Sequence, residues 1–267
     1  LMLDALCLDL TGPSSAESRL LAITDHLDAS SSWLVAALIA RACEHRGVVV
    51  VSLERNFNEI LAVGRKVARG NRESAAAARE RGTLVHVDGV AFSWLASSDA
   101  PAGEEGAGSR AAGDSVSRLT AAVRDAAAKT RAAVARASAD PSYAAQSDRT
   151  CVFVDGADSL ALLDKGANGA RVERFLDSLS RSLGTGVDVV VSAHADVGTH
   201  AEWIDESADC VMRVEPLKTG SAEDVHGTCE TTHRSNAWRP EGCARRSRVG
   251  YALTELGVKF DGAQFGL

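Results

Sequence analysis

The feature that most constrains this chain is an alternation of short β-branched runs with longer helical stretches. Val48–Leu53 is the sharpest case: it is apolar at nearly every position rather than at every second one. A strand reads that way when both of its faces are buried, as in a parallel sheet covered on each side. Leu20–Thr24 reads as a strand before it, and Ser32–Arg46 as an amphipathic helix between them, with Gly47 as its C-cap glycine. Phe57, Ile60, Leu61, Gly64 and Val67 form a helical stripe; Asn71–Arg81 reads as a second helix stopped at Gly82, and Thr83–Val87 as a third strand.

Val116, Leu119, Val123, Ala126, Thr130 and Val134 keep a 3.6-residue rhythm that predicts a long helix over Ser115–Ala139. Cys151–Val154 reads as a fourth strand ending in Asp155, followed by a helix carrying Val172, Phe175, Leu176 and Leu179, and by the strand Val187–Ala193. The rhythm then changes. Asp209–Val214, Val225–Arg234, Arg248–Thr254 and Val258–Phe260 are strand-like without helices between them, and Glu255–Gly257 serves as a tight turn. Parallel β-α units with a hairpin-rich end predict one α/β domain over residues 1–267. Its sheet is mostly parallel and flanked by helices on both faces, with antiparallel C-terminal strands. Within it, 12 of the 18 residues of Ser97–Asp114 are Ala, Gly or Ser, with no branched apolar or aromatic side chain. That segment reads as a flexible surface loop, because it has little to bury against its ordering entropy.

Charge and cysteine usage narrow the function classes. Acidic residues outnumber basic ones, 36 to 29, for a net charge of −7, so no global basic field draws in nucleic acid. No apolar run reaches the ~18–20 residues of a membrane span. Leu1–Leu10 carries Asp4 and Asp9 and no basic residue, unlike a secretory signal. Leu1 reads as a processed or trimmed start, or Met2 as the true one. The six cysteines (Cys7, Cys43, Cys151, Cys210, Cys229, Cys243) form no CxxC pair and read as buried thiols of a soluble intracellular chain.

The turn after the first strand is where an α/β nucleotide-binding protein places its phosphate loop. That chemistry needs glycines for close backbone approach, a lysine for the terminal phosphates and a hydroxyl for magnesium. Here the segment reads Thr24-Asp25-His26-Leu27-Asp28-Ala29-Ser30-Ser31-Ser32, with neither glycine nor lysine. Asp25 and Asp28 place carboxylates beside a helix N-terminus, where they complement the dipole and repel phosphate, and Ser30–Ser32 are N-cap candidates. Asp155 has the position of the metal-binding aspartate of such ATPases, but no acidic residue follows at Gly156 or Ala157, so it reads as a fold marker. His194 with His200, and Cys229 with His233 and Cys243, lack established zinc spacing. No G-x-S-x-G elbow is present. These readings assign no catalytic residue, metal or cofactor.

One local charge feature stands out. Arg234, Arg239, Arg245, Arg246 and Arg248 face the single Glu241 over fifteen residues, a local net charge of +4, with Trp238 interleaved. Arginines with an adjacent aromatic can grip phosphates and stack on unpaired bases, and Arg239, Arg245, Arg246 and Arg248 are the candidate RNA contacts.

Several segments together resemble the Elongator complex protein 6 family. They are Ser32-Trp33-Leu34-Val35; Phe57 followed by Val63-Gly64-Arg65-Lys66; Ala78-Arg79-Glu80-Arg81-Gly82-Thr83-Leu84-Val85 with Asp88-Gly89-Val90; Asp155; and Thr219-Gly220 before Asp224-Val225-His226-Gly227. The resemblance spans roughly residues 20–265, and Ala78–Leu84 with Asp224–Gly227 are its most specific parts. It implies a RecA-like fold without a working phosphate loop. It also implies a heterohexameric ring with Elongator proteins 4 and 5, two copies of each, within the larger Elongator complex. That ring binds tRNA and supports carbon-5 modification of the wobble uridine, whose chemistry resides in another subunit. The implied compartment is the cytoplasm, with the nucleus second. The alternatives weighed beside it are a degenerate RecA/KaiC-like recombinase paralogue or DNA-binding module, an active ATPase with an unrecognised phosphate site, and a small-molecule enzyme on a similar scaffold.

Overall fold

The continuous apolar run of the sequence becomes the strand β2 (Gly47–Ser52), buried at all six positions. Val48 and Val50 enter one core and Val49 and Val51 the other, so neither face meets water. The structure, a computed structural model, describes residue 8 and residues 19–67, 74–92, 107–138, 149–162, 170–197, 200–217, 225–235, 238–239, 242–254 and 257–264.

Around β2 lie β1 (Arg19–Asp25), β3 (Leu84–Asp88), β4 (Thr150–Asp155), β5 (Val187–His194), β6 (Cys210–Pro216), β7 (Gly227–His233), β8 (Arg246–Thr254) and β9 (Gly257–Gln264). Their order in the sheet is β3-β2-β4-β5-β1-β6-β7-β8-β9. The first six strands in that order pair in parallel, and β6 to β9 pair antiparallel as successive neighbours. The expected parallel sheet with an antiparallel C-terminal extension is therefore present.

Helices α1 (Ser32–His45), α2 (Phe57–Val67) and α3 (Ser74–Arg81) cover one face. The long α4 (Ala107–Ala137), the short α5 (Ser159–Leu162), α6 (Ala170–Leu183) and α7 (His200–Ser207) cover the other. On the first face the antiparallel end folds back onto α1, bringing Tyr251 and Phe260 to within 4.8 and 6.0 Å of Trp33 between ring centroids. Among the described residues no helix is long and apolar enough to cross a membrane.

Three sequence expectations need correction. Helix α1 is not a one-sided amphipathic helix: ten of its fourteen residues are buried, because the sheet, α2, α3 and the returning C-terminal strands enclose it. Gly47 is not its C-cap. Arg46 holds that position in an extended conformation, with its N–H bonded to the Ala42 carbonyl, and Gly47 opens β2. Glycine is needed there for another reason: a β-carbon at Gly47 would sit 2.6 Å from the Thr130 Cγ2 of α4. The loop expected over 97–114 is helical backbone from Ala107 onward, since alanine and arginine propagate a helix that Val116, Leu119 and Val123 anchor. Residues 97–106 lie outside the described residues, as do Cys7, 71–73, 139, 218–224, 255 and 256, on which other expectations fall. Helix α7 is an addition that the sequence pattern does not indicate. By contrast, Gly82 stops α3 as read, at φ +75°.

The N-terminal edge of the parallel strands carries a buried ionic cluster. Asp188, at the start of β5, accepts hydrogen bonds from Arg19 Nε (2.8 Å) and Nη2 (2.5 Å), from Arg46 Nη1 (2.6 Å) and from Arg149 Nη2 (2.6 Å). All four side chains are almost wholly buried. Burial alone would raise the Asp188 carboxyl, but its bonds to Arg19 and Arg149 and the charge of Arg46 hold it below the ordinary range. Arg19 also lies over the Trp238 ring, 4.4 Å from its centroid.

Candidate functional site

The opposite, C-terminal edge of the parallel strands is where open α/β sheets form their ligand crevice. Strand register sets the residues side by side there: Asp88 faces Ser52, Ser52 faces Asp155, and Asp25 faces His194. The turn after β2 adds Glu54 and Arg55, and the turn after β4 adds Gly156 and Asp158. Of these, Asp25, His194, Glu54, Arg55, Gly156 and Asp158, together with Ser30–Ser32 and Ser192, line a crevice with about 260 Å³ of empty space.

Asp25 is buried at the end of β1 and does two jobs. Its Oδ2 accepts a short hydrogen bond from the Ser31 N–H at the start of α1, and its Oδ1 lies 2.5 Å from His194 Nδ1. Ser31, at the N-cap position of α1, makes no side-chain cap bond. Ser30 Oγ instead accepts from the Ser32 N–H at 3.2 Å. Asp28, expected beside Asp25, is solvent-exposed. The helix N-terminus is thus served by the chain's own carboxylate, placed where its charge favours the dipole.

Asp155 is wholly buried at the end of β4 and paired bidentately with Arg55, whose Nε donates to Oδ2 at 3.0 Å and whose Nη2 donates to Oδ1. Burial raises the Asp155 carboxyl above its ordinary value, with Arg55 opposing the rise. Ser192 bonds both ways: it accepts from the Gly156 N–H at 3.0 Å and stands 3.5 Å from Asp155 Oδ1. His194 Nε2 lies 3.3 Å from Glu54 Oε1, and its backbone N–H donates to Asp158 Oδ1 at 3.3 Å. Burial alone would lower the His194 imidazole, but the charges of Asp25 and Asp158 and the bonds to Glu54 and Asp25 raise it above 6.5.

Sequence reading singled out Asp25 and Asp155 but missed Glu54, Arg55 and Asp158, and did not connect His194 to them. Glu54 and His194 are 140 positions apart and meet only through the strand order. Beside this crevice opens a second cleft, with about 840 Å³ of empty space, bordered by Ser52, Asn56, Arg79 and His86. There the His86 ring stacks on Phe57 with centroids 4.4 Å apart, and its Nε2 lies 2.7 Å from Ser52 Oγ.

The other residues singled out fall elsewhere. His200 is buried at the start of α7, and Cys229 and His233 are buried in β7. Among the described residues no group of three or more His, Cys, Asp or Glu side chains converges as a metal site. In the arginine segment Trp238 is fully buried, so its ring is not available to stack on a base as the sequence suggested; packing against Arg19 claims it. Arg246 donates to Glu230 at 2.9 and 3.0 Å, and Arg248 to Glu215 at 3.3 Å and Thr228 at 3.0 Å. Arg234 and Arg245 are exposed, and Arg239 is half-buried.

This architecture recurs among solved structures. A KaiC-like protein from the hyperthermophilic archaeon Pyrococcus horikoshii OT3 aligns with a TM-score of 0.56 at 14% identity, over 92% of this chain and 90% of that one. The fold is RecA-like. No protein-family model and no curated protein sequence matches the chain.

On a fold of this kind the N-terminus of the helix after the first strand is the natural seat of a phosphate group. The residues of this chain do not fit one. Asp25 takes the Ser31 N–H, and three carboxylates (Asp25, Glu54, Asp158) line the crevice with Arg55 and His194, while Asp155 is buried and already holds Arg55. The cavity itself, about 20 Å³, is also far smaller than the ~300–1,000 Å³ of ordinary ligand clefts.

Proposed function

We propose that this chain is a non-catalytic, RecA-like subunit of an Elongator-type assembly. In this reading it forms a heterohexameric ring with Elongator proteins 4 and 5, and the ring binds tRNA in support of carbon-5 modification of the wobble uridine. The observation that carries the non-catalytic part is the Asp25 carboxylate on the N–H of Ser31, the residue at the N-cap of α1, where a catalytic relative would hold phosphate. The partners rest on the sequence resemblance, above all Ala78–Leu84 and Asp224–Gly227. A RecA-like sheet that has given up its phosphate site keeps its outer surfaces for assembly, and obligate contacts of this kind bury large apolar areas.

For tRNA the candidate contacts are Arg239, Arg245, Arg246 and Arg248, in a cytoplasmic assembly with the nucleus as second compartment. Arg246 and Arg248 already neutralise Glu230 and Glu215, so in this reading they position the patch while Arg245, with Arg234 beside it, meets phosphate. The test is the native mass of the chain co-expressed with Elongator proteins 4 and 5 from the same source. A stable assembly with two copies of each is expected; a monomer or self-oligomer indifferent to both removes the reading. Within that assembly, changing Arg245, Arg246 and Arg248 together to alanine is expected to weaken tRNA binding and flatten its salt slope. Unchanged affinity and slope would remove these arginines from the contact.

A further inference from the structure

An imidazole has two ring nitrogens. In its neutral form one donates and the other accepts; only the protonated ring donates from both. An ionised carboxylate accepts and never donates. At His194 both nitrogens face carboxylate oxygens: Nδ1 lies 2.5 Å from Asp25 Oδ1 and Nε2 3.3 Å from Glu54 Oε1. The two carboxylates come from different parts of the fold, Asp25 from the end of β1 and Glu54 from the turn after β2, so the ring bridges the crevice mouth.

We infer that His194 is a proton-operated staple: as an imidazolium it ties Glu54 to Asp25 across the crevice, and on losing its proton it releases Glu54.

The charged neighbours set which bond gives way. From β1 the ring faces Asp25, and from the segment after β4 it meets the charge of Asp158. From the turn after β2 it faces Glu54, with Arg55 alongside but already committed to Asp155 of β4. At the outer rim Asp196 lies within reach of the charges of both His194 and His26. His200 of α7 meets the charge of Asp158 as well and is buried, with its own ring held below the ordinary range by that burial. When one proton leaves, the short bond to buried Asp25 keeps the remaining N–H, and the Nε2 lone pair is turned toward the Glu54 carboxylate. That contact is then repulsive, and Asp25 and Asp158 add to the repulsion.

Glu54 is able to respond. Its side chain is 41% exposed, against 17% for His194 and 4% for Asp25. It is held over Gly156, whose φ of +71° and missing side chain make the room: a β-carbon at Gly156 would come within 2.4 Å of Glu54 Cβ. Arg55 stays on Asp155, so the movement is confined to the Glu54 side chain, and the crevice opens on its Glu54 side.

The experiment is an NMR titration of the full-length chain, following the His194 ring nitrogens and the Glu54 side-chain carboxyl carbon. Both His194 nitrogens are expected to carry protons at and above the ordinary histidine midpoint of about 6.5. The Glu54 signal is expected to shift with the same midpoint as the ring. In Glu54→Gln the His194 midpoint is expected to fall, because a raising charge is lost. In His194→Gln the Glu54 shift at that midpoint is expected to disappear, with melting of both variants showing that they fold. A singly protonated His194 ring at pH 6, or a Glu54 shift that survives in His194→Gln, overturns the inference.

Discussion

Replacing Asp188 with asparagine isolates the buried ionic cluster at the N-terminal edge of the sheet. The change keeps shape and removes one charge that three guanidinium groups share through four contacts of 2.8 Å or less. Asparagine also turns an amide donor toward groups that only donate. Arg46 is already under-served, since its Nε and Nη2 have no hydrogen-bond partner among the described residues. Breaking one buried pair costs about 3–5 kcal/mol, because the cation left behind is desolvated and unpaired. About 3–5 kcal/mol is the expected loss here. For a domain of this size that corresponds to a fall in Tm of about 6–20 °C. Thermal and urea melts of Asp188→Asn against the parent give the value. Asp177→Asn is the control, because its partner Arg181 is 77% exposed and the loss there is expected to stay within about 0.5 kcal/mol. Asp188→Asn within about 1 kcal/mol of the parent would refute the account of this edge.

Other expectations follow from the same geometry. Gly47→Ala drives a β-carbon toward the stiff, β-branched Thr130 of α4 and is expected to cost about 1–3 kcal/mol by urea melt; no loss would mean that α4 gives way freely. In the native chain Cys43, Cys151, Cys210 and Cys229 are expected to resist alkylation while Cys243 labels, as mass spectrometry would show. Burial pushes the first, second and fourth of these thiols up to about 12, and Cys210 higher still. The raised His194 stabilises the fold in its charged form, fully so below about pH 6.5 and no longer once the pH has risen through its folded-state value. His194→Gln is therefore expected to destabilise the chain more at pH 5.5 than at pH 8.5 in thermal melts, and a loss that grows with pH would contradict the assignment.

What could be read from the sequence was whatever local pattern controls. The unbroken valines of β2 announce a strand covered on both faces, and Gly82 marks a helix end that needs a left-handed residue. The turn from Thr24 to Ser32 shows directly that no glycine or lysine is present to cradle phosphate. What stayed hidden depends on how distant segments meet. Nothing local in Arg19, Arg46 and Arg149 indicates that all three converge on Asp188. Trp238 looks like a loop aromatic beside arginines, and only the packed fold shows that Arg19 covers it. Glu54 sits between a strand and a helix with no motif around it, and its meaning comes from the partner that β5 delivers across the crevice. Helix α7 is eight residues long, too short for its periodicity to separate it from a loop.

The RecA-like sheet here carries its own carboxylate, Asp25, at the place of a bound phosphate. Equilibrium binding of magnesium ATP to the purified chain, followed by calorimetry, tests it most directly. No saturable binding is expected, for the parent chain and for Asp155→Asn alike. Stoichiometric binding of ATP that is lost on altering the Ser30–Ser32 turn would contradict it and return the crevice to the nucleotide-binding class.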